Sequence, residues 1–250
     1  MTERERVLAV LKHEKPDRLP WLADFDYLIS SWKTDGIYPA KYENRYGDEG
    51  LQRMHRDFGA GFYLQGYEPF TAVRSGVDIQ TQKCGDVTVT TWNTPVGSLR
   101  EVTQFSKASY SSGITEHLIK DIEDLKVYAW ICAHTHYEPN YELAQMRYKS
   151  IGDNGVVLCY TPKSPLMALV ALLAGVENVT YMKMDDEEEF AALLDEIEDC
   201  YDEACRLAVE SPAECIMIPE NISSECVASF YQDHMNMLTY HGRHWQQDWQ

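Results

Sequence analysis

Gly155-Val156-Val157-Leu158-Cys159-Tyr160, followed by Thr161-Pro162-Lys163-Ser164-Pro165 and the apolar run Leu166-Met167-Ala168-Leu169-Val170-Ala171-Leu172-Leu173, is the stretch on which the fold reading turns. The first six residues are apolar, uncharged and bracketed by loop signals, and they read as a buried strand. Pro165 suits the first turn of a helix, where a missing N–H costs nothing, and Gly175 suits its stop. One strand feeds one helix. Downstream, Asp185-Asp186-Glu187-Glu188-Glu189 opens a long helix with Phe190, Leu193, Leu194, Ile197, Tyr201 and Ala204 at helical spacing. That acidic run complements the helix dipole and faces water. Residues 213–218 are the next buried strand, and Ser223 or Ser224 can cap a helix after it.

Upstream the same alternation recurs. Thr2-Glu3-Arg4-Glu5 is a capping box for a helix that stops before Pro16. Residues 19–25 read as the first buried strand and 62–66 as the second, with a helix at 51–58 between them. Further helices are expected at 121–132 and 141–148. Strands alternating with helices point to βαβ units and a mainly parallel sheet in one domain. Residues 77–105 break this texture. Val87, Val89 and Thr91 alternate with Thr88, Thr90 and Trp92, and Pro95-Val96-Gly97 marks a turn, so an antiparallel hairpin is inserted there.

With 250 residues, 44% of them hydrophobic, the chain can bury a substantial core. Forty acidic against 22 basic residues give a net charge of −18. Such a chain repels phosphate backbones and anionic bilayers, so neither nucleic acid nor a membrane is an expected partner. The seven cysteines are odd in number, lack any C-x-x-C pair, and several sit in apolar runs. They read as reduced thiols of a cytoplasmic protein. No signal peptide opens the chain, and no apolar run approaches the ~20 residues of a membrane span. No phosphate loop and no Gly-x-Ser-x-Gly elbow occurs.

Candidate functional groups cluster at strand ends. Asp24 and Asp26 follow the first strand and share one side of an extended segment; they anchor a substrate or cap the next element. Glu68 follows the second strand, where a core-facing carboxylate needs a partner or a role. Glu220 and Asn221 follow the strand at 213–218, with helix capping by Asn221 as the alternative. His134-x-His136 reads as surface histidine, and His241-x-x-His244 as an accidental pair.

Several blocks carry a family likeness. Thr2-Glu3-Arg4-Glu5-Arg6-Val7-Leu8 with His13-Glu14-Lys15-Pro16-Asp17-Arg18-Leu19-Pro20 resembles the opening of uroporphyrinogen decarboxylase superfamily proteins. Thr94-Pro95-Val96-Gly97-Ser98-Leu99-Arg100, Ile119-Lys120-Asp121-Ile122-Glu123-Asp124-Leu125, and Ser164-Pro165-Leu166 with Gly175-Val176-Glu177 continue it, over about residues 2–230. The resemblance implies a (β/α)8 TIM barrel with its site at the C-terminal strand ends, and the barrel is expected to be incomplete at the C-terminus. Decarboxylases of the family place Arg-Gln-Ala-Gly-Arg after the first strand, whereas Leu22-Ala23-Asp24-Phe25-Asp26-Tyr27 stands here. Their helical tyrosine falls at Ala171, and their catalytic aspartate falls near Glu68, which leaves Glu68 as the implied catalytic acid. Lys41, Arg45 or Arg74 would have to replace the lost arginines.

The methyltransferase branch of the superfamily fits better. It moves methyl groups between small donors and corrinoid or thiol carriers, with a corrinoid protein as partner. Its zinc ligands, a His-x-Cys pattern and a later Cys, belong beyond residue 240, where Tyr240-His241-Gly242-Arg243-His244-Trp245 matches no family block. Zinc and corrinoid are therefore expected only of a full-length relative, and no cofactor within these 250 residues. The expectations are methyltransferase-like activity on a small molecule, or porphyrin-type decarboxylation, or a catalytically silent truncated barrel. A half-barrel would also expose 215–218 as a sticky sheet edge.

Overall fold

The computed structural model describes residues 1–44, 48–62 and 67–220. Helix α1 (Glu3–Leu11) starts where the sequence places it: Thr2 Oγ1 accepts from Glu5 N at 3.1 Å, and Glu5 Oε2 accepts from Thr2 N at 2.8 Å. Arg6 ties it to the following loop through Asp17, with Nε–Oδ1 at 2.7 Å and Nη2–Oδ2 at 3.0 Å. Helices α2 (Asp26–Thr34) and α3 (Glu49–Asp57) follow. Strand β1 (Phe70–Arg74) leads into β2 (Asp78–Cys84), β3 (Val87–Thr94), β4 (Gly97–Ser106) and β5 (Ser111–Glu116). Then come α4 (Ile122–Ala133), β6 (Thr135–Pro139), α5 (Tyr141–Ile151) and β7 (Leu158–Tyr160). Helix α6 (Pro165–Ala168) runs into a π turn at Leu169–Leu173, and α7 (Gly175–Asp185), α8 (Glu187–Glu210) and β8 (Cys215–Met217) complete the order.

Strands β2 to β5 form one antiparallel sheet in sequence order. Its outer strand β2 is exposed along its whole length and carries Asp78 and Lys83, charges that discourage edge pairing. The β3–β4 turn is held by Thr94 Oγ1, which accepts from Val96 N and Gly97 N at 3.2 and 3.1 Å. A Cβ on Gly97 would stand 2.7 Å from a Val127 methyl, so this hairpin lies directly on α4. Fully buried Leu99 joins Leu125 and Ile131 of α4, Leu169, and Phe190 and Ile197 of α8 in the largest apolar cluster. A second antiparallel pair joins β1 to β6, Phe70 opposite Pro139 and Arg74 opposite Thr135.

Parallel contacts are few. Leu22 bridges Gly61, Phe62 bridges Gly155, and β7 pairs with β8 over three residues. Val7 of α1 packs under this short seam with Val156 and Cys215, while Phe62, Val157 and Cys159 face Ala204, Leu207 and Ala208 of α8.

The (β/α)8 barrel read from the sequence is not what forms. The described residues make a mixed α/β fold dominated by antiparallel pairing, with no closed barrel among them. The reasons are local. Pro20 cannot donate to a ladder, and the chain turns into α2 at Asp26, which leaves residues 19–25 a single bridge in place of a strand. Residues 78–116 leave the parallel pattern altogether, beyond the 77–105 hairpin anticipated. His136 sits in strand β6 and is exposed. Residues 63–66 of the second expected strand, and Asn221 with the helix expected from Ser223 or Ser224, lie outside the described residues. Of residues 215–218, read as an exposed edge, Ile216, Met217 and Ile218 are exposed at 37, 41 and 51%, whereas Cys215 is buried at 8%.

Candidate functional site

A cleft of about 320 Å³ opens beyond the C-terminal ends of β7 and β8. Alternation along β1 puts Phe70, Ala72 and Arg74 on one face, and that face is a wall of the cleft. Helix α4 contributes Tyr128, Ile131 and Cys132, residues at i, i+3 and i+4 on one helical stripe. Helix α8 supplies Cys200 and Tyr201, and β6 supplies Thr135 and Tyr137. The loop after β7 brings Thr161, Pro162 and Lys163 to the cleft, which Glu68 and Pro219 also line. Ala168 at the end of α6 and Leu172 of the π turn also line it, which suits the frequent use of such turns at functional sites.

Six of the 19 lining residues are aromatic, and contacts join several of them to one another and to Arg74. Tyr128 Oη and Tyr201 Oη share a hydrogen bond of 2.8 Å, and Phe70 meets Tyr137 edge-on at 5.3 Å. Burial pushes all three tyrosine phenols, Tyr128, Tyr137 and Tyr201, upward, so they stay protonated donors. The Arg74 guanidinium sits 5.1 Å from the Trp92 ring centre, a cation–π arrangement that holds it in place. Lys163 Nζ donates to the Pro219 carbonyl, and desolvation lowers its ammonium against the pull of Glu220. Glu68 keeps an exposed edge, yet the cleft removes enough water to raise its carboxyl, with Arg74 opposing. Thr161 is 3% exposed, its backbone N donates to Met217 O at 3.2 Å, and its buried Oγ1 has no partner among the described residues. A buried hydroxyl on a cleft wall can bond a ligand's donor or acceptor.

The sequence-derived site residues separate here. Glu68 lines the cleft. Glu220 stands beside it: Oε1 accepts from Ser164 N at 2.5 Å and Oε2 from Ser164 Oγ at 3.2 Å, at the start of α6. Asp24 and Asp26 are not among the cleft's lining residues. Asp24 Oδ1 accepts from Asp26 N at 2.9 Å, which is the capping alternative for α2. Neighbouring Asp24 and burial raise the Asp26 carboxyl, burial more strongly. Asn221 is outside the described residues. Arg74, Thr161, Lys163, Cys132 and Cys200 were not singled out as site residues by sequence, except Arg74 as a stand-in clamp. Lys163 carried a signal, since it directly follows a buried strand. The other alternative cations do not gather here: Lys41 pairs with Asp57 at 2.6 Å, and Arg45 is not described.

Among the described residues no group of three or more His, Cys, Asp or Glu could hold a metal, so they do not fit a zinc site. No helix among them is long and apolar enough to cross a membrane. Set against known protein families, curated proteins and solved structures, the chain matches none.

Proposed function

We propose that the chain is a methyltransferase-like protein of the uroporphyrinogen decarboxylase superfamily, taking a methyl group from a small donor to a corrinoid or thiol carrier. The order of the family-like blocks supports the family, independently of any barrel. The observation that carries the reading is the cleft: a raised carboxyl at Glu68 beside an aromatic, half-desolvated chamber. When a methyl group leaves a heteroatom, that atom gains charge and needs a proton. A carboxyl raised by desolvation holds its proton to higher pH than a free one and can donate it. Arg74 and Lys163 can hold an acidic group of the donor, and the Thr161 hydroxyl can bond a polar atom deeper in the cleft. No step is routed through zinc, and the corrinoid enters only as an external acceptor.

Decarboxylation is the second reading, and Arg74 is what favours it, being a cation inside the cleft. Two cations suit one or two carboxylates, not the eight of a uroporphyrinogen. The test is the purified chain incubated with O-, N- and S-methyl donors and a corrinoid acceptor, alongside carboxylated substrates with release of CO2 followed. Methyl transfer that falls in Glu68→Gln supports the first reading. CO2 release without methyl transfer replaces it with the second. No turnover of any donor sinks both and leaves a catalytically silent protein.

A further inference from the structure

Two thiols in the cleft wall have no part in that reaction. Cys132 is the last core-facing residue of α4, 4% exposed, and Cys200 is half-buried on α8, which packs against α4. Both line the same cleft and belong to the apolar cluster where α4 meets α8. Cys200 Sγ also lies 3.8 Å from Tyr137 Oη. The remaining described cysteines are placed differently. Cys84 is exposed on β2, Cys159 is packed in the core near Ser211, and burial lifts Cys205 to about 12 and Cys215 to about 11.

We infer that Cys132 and Cys200 are a redox-active dithiol that a low-molecular-weight disulfide, entering through the cleft, converts to a protein disulfide. The Cys200 thiolate attacks one sulfur of the small disulfide. That S–S bond breaks, a mixed disulfide forms on Cys200, and one small thiolate leaves and takes up a proton. Cys132 then gives up its proton and attacks the Cys200 sulfur, and the second small thiol departs. The protein loses two electrons and the small disulfide gains them.

The order of attack follows from the surroundings. Cys200 is half-buried and within reach of a small disulfide in the cleft, whereas Cys132 is 4% exposed; the proximity of the two lowers the Cys200 thiol and raises that of Cys132. Arg74 on β1 favours the thiolate, while burial and Glu203 on α8 oppose it. Tyr128 on α4 and Tyr201 on α8 complete the ring of titratable groups around the pair, neutral by burial. Cys200 is thus the attacking thiol and Cys132 the resolving one. Closing the bond would staple α4 to α8 across the cleft wall.

The experiment treats the full chain with oxidised glutathione, caps remaining thiols by alkylation and maps the peptides by mass spectrometry. A Cys84→Ser, Cys226→Ser background removes competing thiols. The expected product links the peptides of Cys132 and Cys200. Cys132→Ser should keep glutathione on Cys200, and Cys200→Ser should leave Cys132 alkylated and unoxidised. Recovery of both cleft cysteines as alkylated monomers after treatment of the background protein overturns the inference, and that readout needs no variant at either position. Equal glutathione loading of Cys132 in Cys200→Ser overturns the assigned order of attack.

Discussion

Gly155→Ala tests whether the short parallel seam holds the fold together. Gly155 bridges Phe62, and a Cβ placed on it would stand 2.3 Å from the Phe62 carbonyl oxygen and 3.1 Å from its carbonyl carbon. Contacts under 3.0 Å are ones that real Cβ atoms essentially never make, and here the obstacle is backbone, so it cannot rotate away. The backbones must part by most of an ångström. Relief of that overlap costs ~1–3 kcal/mol. Separation also stretches the bond from Phe62 N to Asn154 O, now 3.0 Å, worth ~0.5–1.5 kcal/mol. The sum is about 2–4 kcal/mol. Urea unfolding followed by circular dichroism and by tryptophan fluorescence measures it, with Gly113→Ala as control. Gly113 lies on an exposed strand with nothing within 4 Å of its added Cβ, so its change should stay within ~0.5 kcal/mol. If Gly155→Ala unfolds at the same urea concentration as the control, the seam is not a structural constraint and the argument fails.

Leu99→Ala removes a fully buried side chain where the antiparallel sheet meets α4 and α8, and should cost ~2–5 kcal/mol by denaturant unfolding; a loss below 1 kcal/mol, on the order of a surface change, would mean the sheet is only loosely attached. The Asp17 carboxyl is held far below its ordinary range by the Arg6 guanidinium first, then by the N-terminus and the Arg18 amide. Its folded value is depressed, so its contribution is intact above an unfolded value of ~3.9 and fades as pH falls through the folded one. Protection factors of the amides along α1, with the intrinsic pH dependence of exchange divided out, should hold on acidification to about pH 4 and fall below it, and Asp17→Asn should flatten that fall. For Glu68 the sign is opposite: its folded value is raised, so activity that needs it as a proton donor persists at low pH and falls as pH rises through that value. Glu68→Gln should lower turnover by ~10²–10⁴-fold with the donor's KM little changed; a flat pH profile unaltered by the substitution excludes it as the acid.

What the sequence disclosed was whatever a few neighbouring residues decide. Thr2 and Glu5 settle the start of α1, Asp186 caps α8 through Glu189 N at 2.9 Å, and the β3–β4 turn follows from Thr94 to Gly97. Pairings between distant segments were not legible. Nothing in Thr135–Pro139 announces Phe70–Arg74 as its partner, and without that pair the cleft has no wall. The barrel expectation failed for a related reason. Alternating strands and helices are necessary for parallel closure but do not require it, and short seams satisfy the same pattern. In the site, Glu68 lines the cleft, although most of the strand expected before it lies outside the described residues. Asp24 looked alike and was spent on the start of α2. Thr161 could not be recognised, because the burial of a hydroxyl on a cleft wall is a property of packing. Cys132 and Cys200 read separately as small core residues, and only the α4–α8 contact makes them a pair.

The two kinds of pairing also mature on different clocks during synthesis. Each strand from β2 to β5 bonds its neighbour in the chain, so that sheet can close almost as soon as Glu116 emerges. Strand β7 must wait for β8, and roughly 55 residues separate Tyr160 from Cys215. At ~5–20 residues per second the nascent chain carries an unmatched β7 for about 3–11 s. Codons that slow the ribosome between those residues lengthen the interval in which Val156, Val157 and Cys159 lack their final cover, whereas slow codons ahead of residue 78 leave it unchanged.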